Sequence, residues 1–408
     1  MWPFRKKEQR SIEDPSIPLS DPRAFEMLFR SVSSATGEIV TSEKALRVPA
    51  VWAAVNVISS TFASVPLKLY QRTEEGRENV TADPLAAILH DAPNPEWTSY
   101  RWRKYTMTRT LLDGRSYTFI ERNVAGRVVN LWPLSPNNVV LERSNGRTRY
   151  HYYEGEKSNQ QTAIYEPHEI IDLPWMLDLD GFRHVDPVAK MRDTIALSLA
   201  LGDYAADFFR NGGVPPLVLE GPAMSPAAAK RASDDITQAL QGRKSDGNNV
   251  LTMPAGHSLK PVGVDPEKTQ MQEARRFQVE ETSRVYGIPP VFLQDLTHGT
   301  FSNTEQQDLH FVKHTMAHWF KAAEQELNLK LFGHRNNSQF VEFSLDGLLR
   351  GDFKTRMDGY AQGVQNSLIT PNEARRMENR PPMDGGDSLF IQQNMSGLNA
   401  LGNDDEES

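Results

Sequence analysis

The chain has 408 residues, 45 Lys and Arg against 53 Asp and Glu, a formal net charge of −8, 38% hydrophobic residues and no cysteine. The lack of cysteine excludes disulfides and thiolate metal sites and suits a reducing compartment, and no run approaches the roughly 18 apolar residues of a membrane span. The acidic balance argues against a protein that grips nucleic acid by neutralising phosphates, so a nucleic acid partner would be held loosely or by shape.

The length suits two or three domains at roughly 150 residues each. Residues 1–36 mix charge, Pro and Ser and read as a flexible arm. The opening "MWPFRKKEQR" has no apolar stretch behind its charges and does not read as a secretion signal. The first helix is "PAVWAAVNVISSTFASV", with Pro49 at its first position and Val51, Val55, Ile58 and Phe62 on one face. Pro66 ends it and "LKLYQR" follows as a strand. A second helix, from about Ser99 to Leu112, stops at Asp113-Gly114. Then come "SYTFIERN", "RVVNLWPL", "NVVLERS" and "TRYHYYE", short β-rich runs divided by Gly, Asn and Pro. This order predicts an α+β domain over 37–186 with an antiparallel or mixed sheet.

From Pro187 to Arg210 the pattern predicts a helix that is apolar nearly all round, through Val188, Met191, Ile195, Leu197, Leu199, Leu201, Tyr204, Phe208 and Phe209. Such a helix must be covered on more than one side. "NGGVPP" stops it. A small unit over 211–264 follows: strand "LVLEG", a helix from Ser225 to Leu240 with Pro226 at its first position, and "NVLTMPAGHSLKPVGV", which reads as a hairpin. The next helix, from about Pro266 to Tyr286, is unusually polar, with Glu273–Phe277, Arg276–Glu280 and Glu280–Arg284 as surface neighbours. A helix this polar bridges solvent or pairs laterally. Gly287, Pro289 and Pro290 break it, and Ser302 with Glu305 has the spacing of a capping box that restarts the chain as a helix. Leu309, Val312, Met316, Trp319, Ala323 and Leu327 then form a heptad-like stripe, with Gly333 as its stop. Thr370, Pro371 and Glu373 start a short helix that runs out before Pro381-Pro382, and "GNDDEES" is an acidic tail.

These stretches resemble the portal proteins of tailed double-stranded DNA bacteriophages, particularly the long non-contractile-tailed group. The resemblance rests on "VPAVWAAVNVISSTFASVPLKLYQR", "LLDGRSYTFIERN" with "GRVVNLWPLSPNNVVL", "DPVAKMRDTIALSLALGDYAADFFRNGGVP", "VEETSRVYGIPPVFL", "SNTEQQDLHFVKHTMAHWFKAAEQELN" and "LITPNEARRMENRPPMDGGD", in family order over roughly residues 45 to 390. Two positions depart from it. The family often has Gly-x-Ser-Pro where this chain has His184-Val185-Asp186-Pro187, and often a Pro in the long helix where this chain has His318. Without that Pro the helix keeps its backbone bond and should kink less.

The resemblance implies a ring of about twelve copies at one capsid vertex. It implies an α+β wing (37–186), stem helices at 187–210 and 265–288, a clip at 211–264 and a tunnel loop at 289–302. A long wing helix and strand would span 303–345, a C-terminal wing or crown 346–395, and a disordered tail 396–408. The tunnel-loop residues would be Leu296, Thr297, His298, Gly299, Thr300 and Phe301; the channel lining would be Lys268, Gln272, Arg275, Arg276, Glu280 and Arg284. The implied function is structural: a channel for DNA packaging by the terminase motor and for ejection, and an attachment point for tail proteins. Implied partners are further copies of the chain, the terminase large subunit, a head-completion adaptor, the major capsid and scaffold proteins, and double-stranded DNA without sequence preference, with no membrane. The place is the virion, after assembly in the host cytoplasm. No cofactor is expected.

Three other readings compete with this one. His310, His314 and His318 recur at i, i+4, i+8, a spacing that suits zinc or nickel in a metal-dependent hydrolase, but no Glu follows His310 as in H-E-x-x-H and no fourth ligand is evident. Asp178, Asp180 and Gly181 resemble the start of a calcium loop without its later ligands. No P-loop, G-x-S-x-G elbow or cysteine nucleophile is present, so no catalytic residue is assigned. A minor head or connector protein would be shorter and would lack the long-helix pattern.

Overall fold

The computed structural model describes residues 39–74, 76–144, 146–154, 161–210, 217–222, 225–242, 256–261, 271–294, 304–335, 338–345, 353–378 and 380–390. The chain forms two compact units, 1–343 and 344–408.

In the first unit a short helix α1 (Ser42–Ala45) leads into α2 (Pro49–Ser64). Val51, Val55, Ile58 and Phe62 are all buried, as their spacing requires. Strands β1 (Leu67–Thr73) and β2 (Gly76–Asn79) follow, then α3 (Pro84–His90), capped by Asp83, and α4 (Ser99–Asp113), capped by Thr98. Gly114 ends α4 at φ +76, the left-handed conformation that only glycine adopts cheaply. Six strands come next: β3 (Arg115–Arg122), β4 (Val128–Leu134), β5 (Val139–Ser144), β6 (Arg147–Glu154), β7 (Gln161–Tyr165) and β8 (Ile170–Pro174).

They make two three-stranded sheets, ordered β4-β3-β8 and β5-β6-β7, and their facing sides meet at Tyr117, Leu134, Val139, Tyr150 and Ile170. A third sheet adds β11 (Gln339–Phe343) beside β1, pairing Leu67 with Phe343 and Leu69 with Val341. Every strand pair among the described residues is antiparallel, which narrows the expectation of an antiparallel or mixed sheet. An α+β fold is therefore observed.

The remaining helices of this unit are α5 (Pro187–Lys190), α6 (Arg192–Arg210), α7 (Pro226–Gly242), α8 (Met271–Tyr286), α9 (Thr304–His310) and α10 (Ala317–Phe332). Strand β9 (Leu217–Glu220) pairs with β10 (Ser258–Pro261). Of the hairpin expected over 249–264, only β10 is described, and it pairs with the strand before α7; residues 249–255 and 262–264 lie outside the described residues. Phe62 of α2 stacks on Phe320 of α10 at 5.5 Å, and both touch Phe343 of β11, at 5.1 and 4.9 Å. Arg103 is buried beneath them. Its guanidinium donates to the Val65 carbonyl that ends α2, and burial lowers its pKa to about 10.

A second buried cation belongs to a cluster that joins the two three-stranded sheets. Arg115 on β3 forms a bidentate pair with Asp172 on β8, Nε to Oδ1 at 2.6 Å and Nη2 to Oδ2 at 2.5 Å. Tyr150 on β6 donates to the same carboxylate at 2.8 Å, and the Asp172 N–H donates to Glu326 of α10 at 2.9 Å. Burial works against the guanidinium, but the hydrogen bonds and charge of Asp172 outweigh it and raise the Arg115 pKa. Burial and the adjacent Asp172 carboxylate push the Tyr150 phenol up.

In the second unit, helices α11 (Phe353–Gln365) and α12 (Pro371–Met377) are described. The capping box is present: the Glu373 N–H donates to Thr370 Oγ1 at 3.2 Å and the Thr370 N–H to Glu373 Oε2 at 2.8 Å. The side chain of Asn372 is the local keystone, bonded to both the carbonyl and the N–H of Met383 and to Asp387. Thr370→Ala should cost about 1 kcal/mol of stability, read as a lower urea midpoint for the transition that includes this unit; an unchanged midpoint would show that the cap is idle.

Candidate functional site

The candidate site is the pair α6 and α8, with the chain break that follows α8. Asp186 caps α5, accepting from the Ala189 N–H at 3.1 Å, and Met191 separates α5 from α6, so the single helix expected over 187–210 is two. Val188, Met191, Ile195 and Ala196 are buried, whereas Leu197 and Tyr204, seven residues apart on one side of α6, are exposed. Among the described residues these two apolar side chains are left uncovered.

α8 packs against α6 through polar groups. Gln278 is buried, and Ser198 Oγ donates to its Oε1 at 2.7 Å, while its Nε2 has no partner among the described residues. Thr282 bonds back to the Gln278 carbonyl at 2.9 Å. Along the rest of α8, Gln272, Arg275 and Arg284 are exposed, Arg276 and Glu280 half-buried. Arg284 pairs with Glu280 at 3.4 Å and with Glu281, and it lies 5.6 Å over the ring of Phe277, itself 55% exposed. The charge of Arg284 is answered within its own helix. Lys268 lies outside the described residues.

The break after α8 is tightly held. Gly287 takes φ +62, and the Ile288 N–H returns to the Ser283 carbonyl at 3.1 Å. Ser283 Oγ donates to the Ile288 carbonyl at 2.5 Å, Thr315 donates to the Gly287 carbonyl, and the Tyr286 hydroxyl donates to Leu111 of α4 at 3.2 Å. Complete burial raises the Tyr286 pKa. A single 3₁₀ turn, Pro290–Leu293, follows and sets Phe292 against Phe311 at 4.6 Å. The loop residues Leu296, Thr297, His298, Gly299, Thr300 and Phe301, and Ser302 of the expected capping box, lie outside the described residues.

From Thr304 to Phe332 the helix is unbroken but not α throughout. Residues Phe311–Met316 form a π-helical turn between α9 and α10. The expected stripe holds at Val312, Met316, Trp319, Ala323 and Leu327, all buried, but Leu309 is exposed. The wide turn also buries Phe311 and Thr315, which a strict heptad pattern leaves aside. Replacing the family's Pro by His318 therefore gives no plain α-helix, because the chain widens one turn earlier.

The histidine row does not form a site. The rings of His310 and His314 lie 4.4 Å apart, but His318 turns to Trp319, at 4.6 Å, and burial lowers its pKa. No group of three His, Cys, Asp or Glu that could hold a metal occurs among the described residues. The acidic turn is equally ordinary: Asp180 Oδ1 accepts the N–H groups of Phe182 and Arg183, each at 2.8 Å. None of the described helices is long and apolar enough to cross a membrane.

The chain as a whole is similar to known proteins. A family model described as phage portal protein matches residues 49–379. The portal protein of Enterobacteria phage HK97 is 28% identical over 373 residues, covering 90% of this chain and 87% of the relative. The crystal structure of an HK97-family phage portal protein from Corynebacterium diphtheriae superposes with a TM-score of 0.55 at 18% identity, covering 76% of this chain and 98% of that one. A chain from the neck of a native GTA particle, computed with C12 symmetry, gives 0.58 at 17% identity, covering 90% and 96%.

Proposed function

This chain belongs to the phage portal protein family, the structural portals of phage heads, and on that premise we propose that about twelve copies close into a ring at the capsid vertex. The observation that carries the ring is the α6–α8 pair. One helix leaves Leu197 and Tyr204 uncovered among the described residues, and the other buries a glutamine and turns a phenylalanine outward. Both features suit lateral neighbours, and head-to-tail contacts between copies close into rings. The C12 symmetry of the similar neck chain supports the copy number.

In this reading α6 and α8 are stem helices and β9, α7 and β10 belong to the clip. Gln272, Arg275, Arg276, Glu280 and Arg284, with Lys268, line the channel, and Leu296 to Phe301 narrow it. At −8 per chain the ring carries about −96, so double-stranded DNA passes without sequence-selective grip. The terminase large subunit, a head-completion adaptor, and capsid and scaffold proteins complete the set of partners, and the protein acts without catalysis, assembling in the host cytoplasm before it enters the virion.

Shortening Leu296–Phe301 to a Gly-Ser link tests the channel assignment. The bonds that fix Gly287 and Phe292 lie outside the deleted stretch, and loop closure changes by only about 0.6 kcal/mol per doubling of length. Rings should form normally while DNA packaging or retention, assayed with the cognate terminase, fails. Normal packaging and retention would make the stretch a mere connector.

A further inference from the structure

Between β8 and α5 the chain makes a hairpin, residues 175–186, that leaves three apolar side chains uncovered. Leu179 is fully exposed at 104%, and Met176 and Leu177 are exposed at 52% and 43%. A lone exposed leucine needs no explanation. Three within four residues on a heavily braced support do.

The bracing is extensive. Leu177 and His184 bridge the two arms, the Asp178 N–H donates to the Arg183 carbonyl at 2.8 Å, and the Val185 N–H donates to Met176 at 2.8 Å. Within the turn, Asp178 accepts the Leu179 N–H at 2.8 Å, Asp180 accepts those of Phe182 and Arg183, and Gly181 takes φ +65. The base is tied to the core: Arg115, already locked to Asp172, donates to the Phe182 carbonyl at 2.9 Å, and Gly114 donates no side chain but packs its backbone against Val185 and Asp186. Both turn carboxylates are thus occupied by backbone N–H groups beside Leu179. A support fixed in this way loses little conformational freedom on docking.

The small size of this apolar set indicates what it docks on. Three side chains fall far short of the roughly 800 Å² per partner that a stable pairwise interface buries, so a separate partner bound here alone would not stay. In a closed ring the same small contact recurs at every subunit, alongside other contacts, and each copy is held from both sides. We propose that hairpin 175–186 is an inter-subunit anchor, with Leu179, Leu177 and Met176 seated on an apolar surface of the next copy of this chain. This rests on the ring reading above.

The test uses the full-length chain carrying the photo-crosslinker p-benzoylphenylalanine in place of Leu179, irradiated after rings are isolated, together with Leu179→Asp and Leu179→Ala. The anchor predicts cross-links between copies, seen as dimers and higher species on denaturing gels. It also predicts that Leu179→Asp raises the protein concentration needed for half-assembly at least tenfold while the melting temperature of the monomer stays that of Leu179→Ala. Intact rings with cross-links only within one chain, or undiminished assembly of Leu179→Asp, would overturn it. Wild-type protein that never forms rings would show instead that the ring reading fails, and the anchor would fall with it.

Discussion

Asp172→Ala should remove about 3–5 kcal/mol of folding stability, the loss expected when one member of a buried ion pair is left without the other. The side chains of Arg115 and Asp172 are 8% and 6% exposed, so water does not replace the lost carboxylate. Two elements lose a bond together, because the Asp172 carboxylate accepts from both Arg115 on β3 and Tyr150 on β6. Tyr150→Phe removes a single hydrogen bond and should cost about 1 kcal/mol. Asp172→Ala combined with Tyr150→Phe should cost less than the two separately, since the phenol has no acceptor left to lose. Urea unfolding of the three variants measures this. Additive losses would show that the cluster is not one unit.

Gly114→Val should be as damaging, for a backbone reason. At φ +76 an L-residue costs about 1–2 kcal/mol. The added Cβ would also sit 2.5 Å from the Val185 carbonyl oxygen and 3.0 Å from the Asp186 Cα. Those are main-chain atoms immediately before α5 and cannot swing aside, so overpacking adds about 1–3 kcal/mol. Gly126→Ala is the matched control: its φ is +78, with nothing within 4 Å of the new Cβ. It should show the conformational cost alone. Equal losses at the two positions would contradict the close approach seen at Gly114.

The parts of the fold that local chemistry dictates were legible in the sequence. Pro49 and Pro371 stand at the first positions of their helices, Gly114 and Gly333 stop theirs, and Thr370 with Glu373 forms its capping box. The runs read as strands over 116–154 coincide with β3 to β6 to within a residue or two. Pairings distant in sequence were not legible. Nothing near Leu67 points to Phe343, and nothing in the pattern marks Arg115 and Asp172 as a buried pair, because both residue types are ordinarily at the surface. Helix α3 was missed because Pro84–His90 is too short for a periodic signal. The π turn at Phe311–Met316 was missed because its stripe still reads as α-helical at Val312, Met316 and Trp319. The polar character of α8 was visible in composition, but its anchor, the Gln278–Ser198 contact, depends on a second helix 80 residues away.

The most direct test of the account is the mass of the assembled protein. Purified full-length chain of 46.0 kDa, measured by native mass spectrometry and imaged in projection, should give a closed ring of about twelve copies with a central opening, metal-free and stable to a chelator. Only monomer or dimer across a range of salt and protein concentration would contradict it.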